Sequence, residues 1–284
     1  MADIGELAPA ESSPAESSPA ESSPAESSPA ESSPTDTLPP NLHIITYASR
    51  MFAPRIPILN GVLARIPGIK YRVYTEADIP AEFISAIGEQ VWQGKKGAGF
   101  MCWKAWIVKD YLSRLQDGNL LIYMDAGCTT NLDKPRGRRK LMEYLALVNN
   151  PANCGMLRYE LPHLVENKYT NRYFWDYMCA RYPGLAESNH YNTPQLITTV
   201  FFIRKCQWVV ELFDEAVAIT LDNPELLSEI HTQPGEIHRH DQSLLSVLYK
   251  VRGGDLILPD KTYPRDLTFK ERCTIPFLAT RLRR

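Results

Sequence analysis

A chain of 284 residues with 44% hydrophobic and 23% charged side chains has the make-up of a soluble globular protein, long enough for one large domain or two small ones. Its formal net charge of −2 offers no bulk attraction to nucleic acid, and basic residues cluster only at Arg136-Gly137-Arg138-Arg139-Lys140 and Arg281-Leu282-Arg283-Arg284, where solvated surface is the plain reading. No apolar run approaches the ~18 residues of a membrane span, and the first residues lack the basic and apolar regions of a signal peptide, so a soluble, cytoplasmic protein without a membrane span is expected.

Six cysteines stand far apart with no CxxC pair, which predicts reduced thiols rather than a zinc site or a redox dithiol. From Ala10 to Pro34 the chain repeats Ala-Glu-Ser-Ser-Pro five times. That unit is too short and too polar to bury anything, and a proline every fifth residue forbids a continuous helix, so residues 1–38 are expected to form a disordered acidic tether. Residues 39–284 remain for a single α/β domain.

In chain order, a strand is expected over 42–47, a helix over 56–65 and a second strand over 71–75, which together suggest a parallel unit. A short helix over 81–87 leads to the loop Gly94-Lys95-Lys96-Gly97-Ala98-Gly99. A longer helix over 100–115 follows, with Trp103, Trp106, Ile107, Tyr111, Leu112 and Leu115 at helical spacing. The apolar run Leu120-Leu121-Ile122-Tyr123-Met124 reads as a strand buried on both faces that ends on Asp125. Beyond it the pattern predicts a helix over 141–148, a short strand over 154–158, an aromatic-rich irregular stretch over 159–192 with a helix near 171–181, and a buried strand over 198–203. Helices over 208–219 and 241–249 and a late strand over 256–258 complete an α/β alternation.

Three places could carry chemistry. In open α/β sheets ligands bind at the carboxyl ends of the strands, so Asp125 faces an expected crevice, although Asp is also an ordinary turn residue. The glycine and lysine loop before the long helix could cradle a phosphate or be plain surface. Lys104, in the first turn of that helix, opposes the helix dipole and so needs another reason to be there, such as a phosphate contact. Asp241, at the start of a helix, could cap it or serve as a general base, and neighbouring His238 and His240 read most simply as surface histidines.

Four stretches together, His43-Ile44-Ile45-Thr46-Tyr47, Gly97-Ala98-Gly99-Phe100-Met101-Cys102-Trp103-Lys104, Leu121-Ile122-Tyr123-Met124-Asp125-Ala126-Gly127-Cys128 and Arg239-His240-Asp241-Gln242-Ser243-Leu244-Leu245, resemble in order and spacing the nucleotide-sugar glycosyltransferases of the GT-A fold, including those of large DNA viruses of green algae. The resemblance covers about residues 40–262. It implies a Rossmann-like α/β/α sandwich on a central mixed, mostly parallel sheet, and transfer of a sugar from a UDP-sugar, with UDP-xylose a candidate, to a glycan hydroxyl, with a capsid glycoprotein a candidate carrier. Laid on matching positions, it implies that Asp125, with Ala126 and Gly127, is the start of the metal and diphosphate motif. Tyr47, Ala48 and Arg50 would lie by the nucleoside, Trp103 and Lys104 would line the donor pocket, and Gln195 would reach the donor sugar. Asp241 would be the base of an inverting displacement. The motif's second carboxylate is replaced by Gly127, which leaves Asp125 as the one expected ligand for Mn²⁺ or Mg²⁺. Two other readings stay open: a haloacid-dehalogenase-like phosphohydrolase with Asp125 as nucleophile, for which Thr129 fits and Gly127 does not, and a non-catalytic sugar-binding module.

Overall fold

The computed structural model describes residues 38–94 and 96–283. The expected repeat tether lies outside the described residues, save for Leu38, which is buried against the core. Seven strands form one sheet in the order β2-β1-β3-β7-β5-β6, with β8 paired to β5. Their ranges are β1 Leu42–Tyr47, β2 Lys70–Tyr74, β3 Leu120–Met124, β5 Met156–Val165, β6 Pro194–Leu196, β7 Val200–Arg204 and β8 Ile257–Pro259. β1 pairs in parallel with both β2 and β3, and β8 runs parallel to β5, whereas β7 is antiparallel to its neighbours β3 and β5, and β6 to β5. Five of the seven strands therefore point one way, so the sheet is mixed and mostly parallel. A separate two-stranded ribbon joins β4, Thr129–Thr130, to β9, Phe277–Leu278.

Both faces of the sheet are covered, which is why its strands read as unbroken apolar runs. Ile45, Tyr47, Leu121 and Tyr123 face one core, packed with the helices α3 (Trp103–Ser113), α5 (Arg172–Arg181), α6 (Gln207–Asp222) and α7 (Asp241–Val251), together with Phe83 and Ile87 of α2 (Ala81–Ile87). Leu42, Ile44, Ile122 and Met124 face the other, packed with α1 (Ile56–Leu63) and α4 (Pro135–Asn149). Leu121 and Ile122 are fully buried, each worth roughly 1.5–3 kcal/mol. That burial fixes the register of β3 and hence the place where Asp125 emerges.

Two helix starts move. The long helix starts at Trp103 rather than at residue 100, because Gly97 to Met101 takes five consecutive positive φ angles. The helix expected over 141–148 begins at Pro135, a residue suited to the first helical position, so the basic run 136–140 lies in its first turns. All six cysteines are free. No described helix is long and apolar enough to cross a membrane.

Candidate active site

The chain passes from β1 outward to β2 and returns to β3 on the other side of β1, so the strand order reverses at the carboxyl ends of β1 and β3. Ligands bind at such switch points, and here a cavity of about 470 Å³ opens between Tyr47, at the end of β1, and Asp125, just past β3. A shallower cleft of about 770 Å³ continues past Tyr47 toward Arg50, Glu76 and Trp92.

Two backbone hydrogen bonds and two from the Arg55 side chain hold the floor. Asp125 N donates to Thr199 O at 2.8 Å, Cys128 N donates back to Asp125 O at 2.9 Å, and buried Arg55 reaches Ala126 O at 3.3 Å and Cys128 O at 2.9 Å. The turn after β3 is therefore braced from inside. Its carboxylate is the deep end of a cluster. Lys104, at 1% exposure, lies between Asp125 Oδ1 at 3.3 Å and Asp241 Oδ2 at 2.7 Å, and its ammonium also donates to Thr198 O at 3.2 Å. Tyr123 donates its hydroxyl to Asp125 Oδ1 at 2.7 Å.

The electrostatics follow from burial and pairing. Burial works against the Lys104 ammonium, but the charges of Asp125 and Asp241 outweigh it and hold its pKa above the ordinary lysine value. Burial raises the Asp125 carboxyl, while Lys104 and the Tyr123 hydroxyl act against that rise and the Asp241 charge adds to it. The Asp125 side chain stays 38% exposed despite the dense packing around it, so it opens on the cavity. The extra reason that Lys104 needed at the start of a helix is this pair of carboxylates; its charge is committed to them.

Asp241 is the first residue of α7, whose N-cap is His240, and it makes no capping hydrogen bond. Its side chain is 4% exposed, with Oδ2 2.7 Å from the Lys104 ammonium. His240, just before it, is held at φ 53° and ψ −119°, and its ring lies 5.1 Å from that of Phe100 at φ 53°. Left-handed backbone in non-glycine residues is concentrated at functional sites.

The two histidines are not surface groups. His238 is 3% exposed and His240 5%. His238 Nδ1 accepts from Asn171 N at 3.3 Å, and its Nε2 donates to Leu226 O at 2.8 Å. Adding a proton would set a second donor against the Asn171 N–H. Burial, together with the neighbouring His240, pushes the His238 pKa down to about 3, so the ring is neutral.

The remaining expected residues divide. Tyr47 and Trp103 line the cavity as a stacked pair, centroids 3.8 Å apart, and the Trp103 indole N–H lies 3.1 Å from both Gly97 O and Ala98 O. Ala126 and Gly127 lie on the cavity wall. Arg50, almost fully exposed, borders the adjoining cleft. Ala48 does not reach the cavity: it is buried, and its N donates to Tyr74 O at 2.8 Å. Gln195 is also fully buried, because its amide is consumed by Glu166, Thr170 and Ser243. Gln242, which donates to Gln195 Oε1 at 2.7 Å, is the amide on the cavity wall. Sequence reasoning also left out Ser49, Arg239, Arg281 and Arg283, all on the lining.

A resident divalent ion needs several oxygen ligands. Among the described residues no group of three or more His, Cys, Asp or Glu side chains is placed to hold a metal. Asp125 Oδ1 is already engaged, Asp241 is paired with Lys104, and Gly127 offers nothing. This donor set does not fit a protein-held metal.

No family model and no curated protein sequence matches the chain. Among solved structures it is similar to a glycosyltransferase involved in the glycosylation of the major capsid of PBCV-1, at 12% identity and a TM-score of 0.45 over 84% of this chain and 92% of that one. It is also similar to mouse xyloside xylosyltransferase 1 in its apo form, at 8% identity and a TM-score of 0.41 over 77% of this chain and 84% of that one.

Proposed function

We propose that the protein is a glycosyltransferase that moves a sugar from a nucleoside diphosphate sugar, a UDP-sugar by the sequence resemblance, to a hydroxyl of a glycan. The observation that carries this reading is the Asp125, Lys104 and Asp241 cluster at the switch point of the sheet, in a cavity whose lining holds five cationic side chains, Lys96, Lys104, Arg239, Arg281 and Arg283, against two carboxylates. A lining so cationic in a chain of net charge −2 suits an anionic ligand. The stacked Tyr47 and Trp103 rings give the adjoining nucleoside a flat wall.

In the proposed reaction an acceptor hydroxyl attacks the anomeric carbon from the side opposite the diphosphate. The bond from that carbon to the diphosphate oxygen breaks, the diphosphate leaves with the electron pair, and the hydroxyl proton passes to Asp241. The Asp241 carboxylate stands on the cavity lining at a helix start, held by Lys104, which suits that role, and a positioned base is typically worth about 10²–10⁴ in rate. Lys104, between the two carboxylates, holds both in place. Gln242 would contact sugar hydroxyls, with Gln195 behind it fixing the direction of its amide. Xylose is the sugar suggested by the resemblance, and a capsid glycan the acceptor suggested with it.

The test is calorimetry with UDP and GDP, with and without Mn²⁺, followed by release of UDP from UDP-sugars. We expect the wild type to bind one nucleotide diphosphate and to turn over its sugar slowly, and Asp241→Asn to bind equally well with turnover lower by about 10²–10⁴. No nucleotide binding would remove the reading. Binding without turnover in the wild type would leave a sugar-nucleotide-binding module, and undiminished turnover in Asp241→Asn would reassign the base.

A further inference from the structure

We infer that Arg283 is the phosphate-neutralising group of the donor subsite, carried there by a strap of residues 279–283 that occupies the place of the missing second carboxylate. The inference rests on the donor reading above. It starts from Gly127. A side chain at that position would put its Cβ 3.1 Å from Arg281 Cα and 3.2 Å from Phe52 Cε1, both tighter than ordinary van der Waals contact. The glycine is therefore a site of close backbone approach, not merely a lost carboxylate.

What approaches is held there along its length. The ribbon of β4 with β9 brings the chain to the cavity by pairing Thr129 with Leu278 and Thr130 with Phe277. Ala279 N then donates to Thr262 O at 2.8 Å, Thr280 Oγ1 to Gly127 O at 2.9 Å, and Leu282 N to the same carbonyl at 3.0 Å. Arg281 bends the strap at φ 55°, and its guanidinium hydrogen-bonds the Tyr263 hydroxyl and lies 5.3 Å from that ring. Both the strap's backbone and its first arginine are thus committed to holding it across the Asp125 turn.

Arg283, two residues on, borders both the cavity and the adjoining cleft, at their junction. Among the other lining cations, Lys104 is paired with Asp125 and Asp241, Lys96 with Glu229, and Arg281 is bonded to Tyr263, while Arg239 lies over the Tyr169 ring at 5.1 Å with its Nε buried and unpartnered, on the cavity alone and not at the junction with the cleft. Arg283 forms no ion pair with any described residue. A ligand spanning nucleoside cleft and sugar cavity places its diphosphate at that junction, and a guanidinium with both its outer nitrogens available binds a phosphate in bidentate fashion. In this site a fixed organic cation supplies the charge that a carboxylate-held metal would supply.

The experiment is calorimetric titration of the full chain, in EDTA, with uridine, UMP and UDP, or with the guanosine series if GDP is the nucleotide that binds. The strap inference predicts that the wild type binds the diphosphate much more tightly than the nucleoside in EDTA. Arg283→Ala should lose about tenfold in diphosphate affinity with nucleoside affinity unchanged, Arg283→Lys should recover part of that loss, and Gly127→Ala, which pushes on the strap, should weaken the diphosphate in the same direction. Diphosphate binding by Arg283→Ala equal to wild type overturns the inference and leaves the donor reading standing. So does diphosphate binding that appears only with Mn²⁺, or a proportional loss of nucleoside affinity in Arg283→Ala. A wild type that binds no nucleotide with or without Mn²⁺ removes the donor reading itself.

Discussion

The neutral, buried His238 carries a pH dependence that can be worked out from its hydrogen bonds. Its folded pKa near 3 lies below the ordinary histidine value of 6.5, so between those values the unfolded chain binds a proton that the folded chain refuses. Stability is therefore full above about pH 6.5 and falls as pH drops toward 3, by about 1.4 kcal/mol for each unit inside that window. His240, also lowered by burial, has the same sign. We expect the free energy of unfolding, measured by urea titration, to fall by about 2 kcal/mol or more between pH 7 and pH 5. His238→Asn is expected to be less stable at pH 7, since it loses the bonds to Asn171 and Leu226, and yet to show a flatter acid slope. The slope is the diagnostic quantity; an unchanged slope in the variant would show that other groups dominate acid unfolding. At this scale the site was partly visible in the sequence. Asp125 was placed by the end of an apolar run and Asp241 by a helix start, both local signals. The burial of His238 and His240 was not visible, because the groups that satisfy them, Leu226, Leu227 and Asn171, come from other parts of the chain.

At the scale of elements, the turn entering α3 stores strain. Gly97, Ala98, Gly99, Phe100 and Met101 all have positive φ, and a left-handed residue other than glycine costs roughly 1–2 kcal/mol. The turn is fastened at one end by the Trp103 indole and at the other by the Gly99 N to Gly94 O bond at 3.0 Å. Gly99 is the residue that can least be changed: at φ 80°, an added Cβ would lie 2.9 Å from Trp92 O, a backbone atom that cannot swing aside. Gly99→Ala should lower the thermal midpoint measurably, by the equivalent of roughly 1–2 kcal/mol, and weaken nucleotide binding through displacement of the Trp103 wall. A variant with wild-type melting and wild-type binding would show that the turn relaxes freely. The aromatic spacing of α3 was readable, but its start was not, since glycine richness signals only that unusual φ angles are available, not which ones are used. β1, β3 and β7 were readable because both their faces are buried. β5 extends to Val165, well past the expected end, because residues 158–160 pair with β8 and Glu160, Leu161 and Val165 with the short β6, long-range partners that leave no periodicity.

Charge is the property that belongs to the whole molecule. The chain carries −2 overall, yet the cavity lining holds five cations against two carboxylates, an excess of three that becomes two when Glu229, outside the lining, is counted against Lys96. Composition could not reveal this, because it averages over a surface that the fold sorts. The terminal basic cluster reads as solvated tail until a contact between Thr280 and Gly127, 153 residues apart, lays residues 281–283 across the site. A local cationic excess in a chain of slightly negative net charge attracts polyanions over about a Debye length, ~10 Å at 0.1 M salt and ~3 Å at 1 M. Exposed Arg283 is fully subject to that screening, whereas buried Lys104 is not. Diphosphate affinity should therefore fall with added salt, by about tenfold between about 0.05 and 0.5 M NaCl, while nucleoside affinity stays flat and the fold remains intact. Arg283→Ala should show a shallower salt slope than the wild type. A salt-independent diphosphate affinity would place the phosphate contacts on buried Lys104 and backbone groups instead, moving the ligand deeper toward Asp125 than the strap allows.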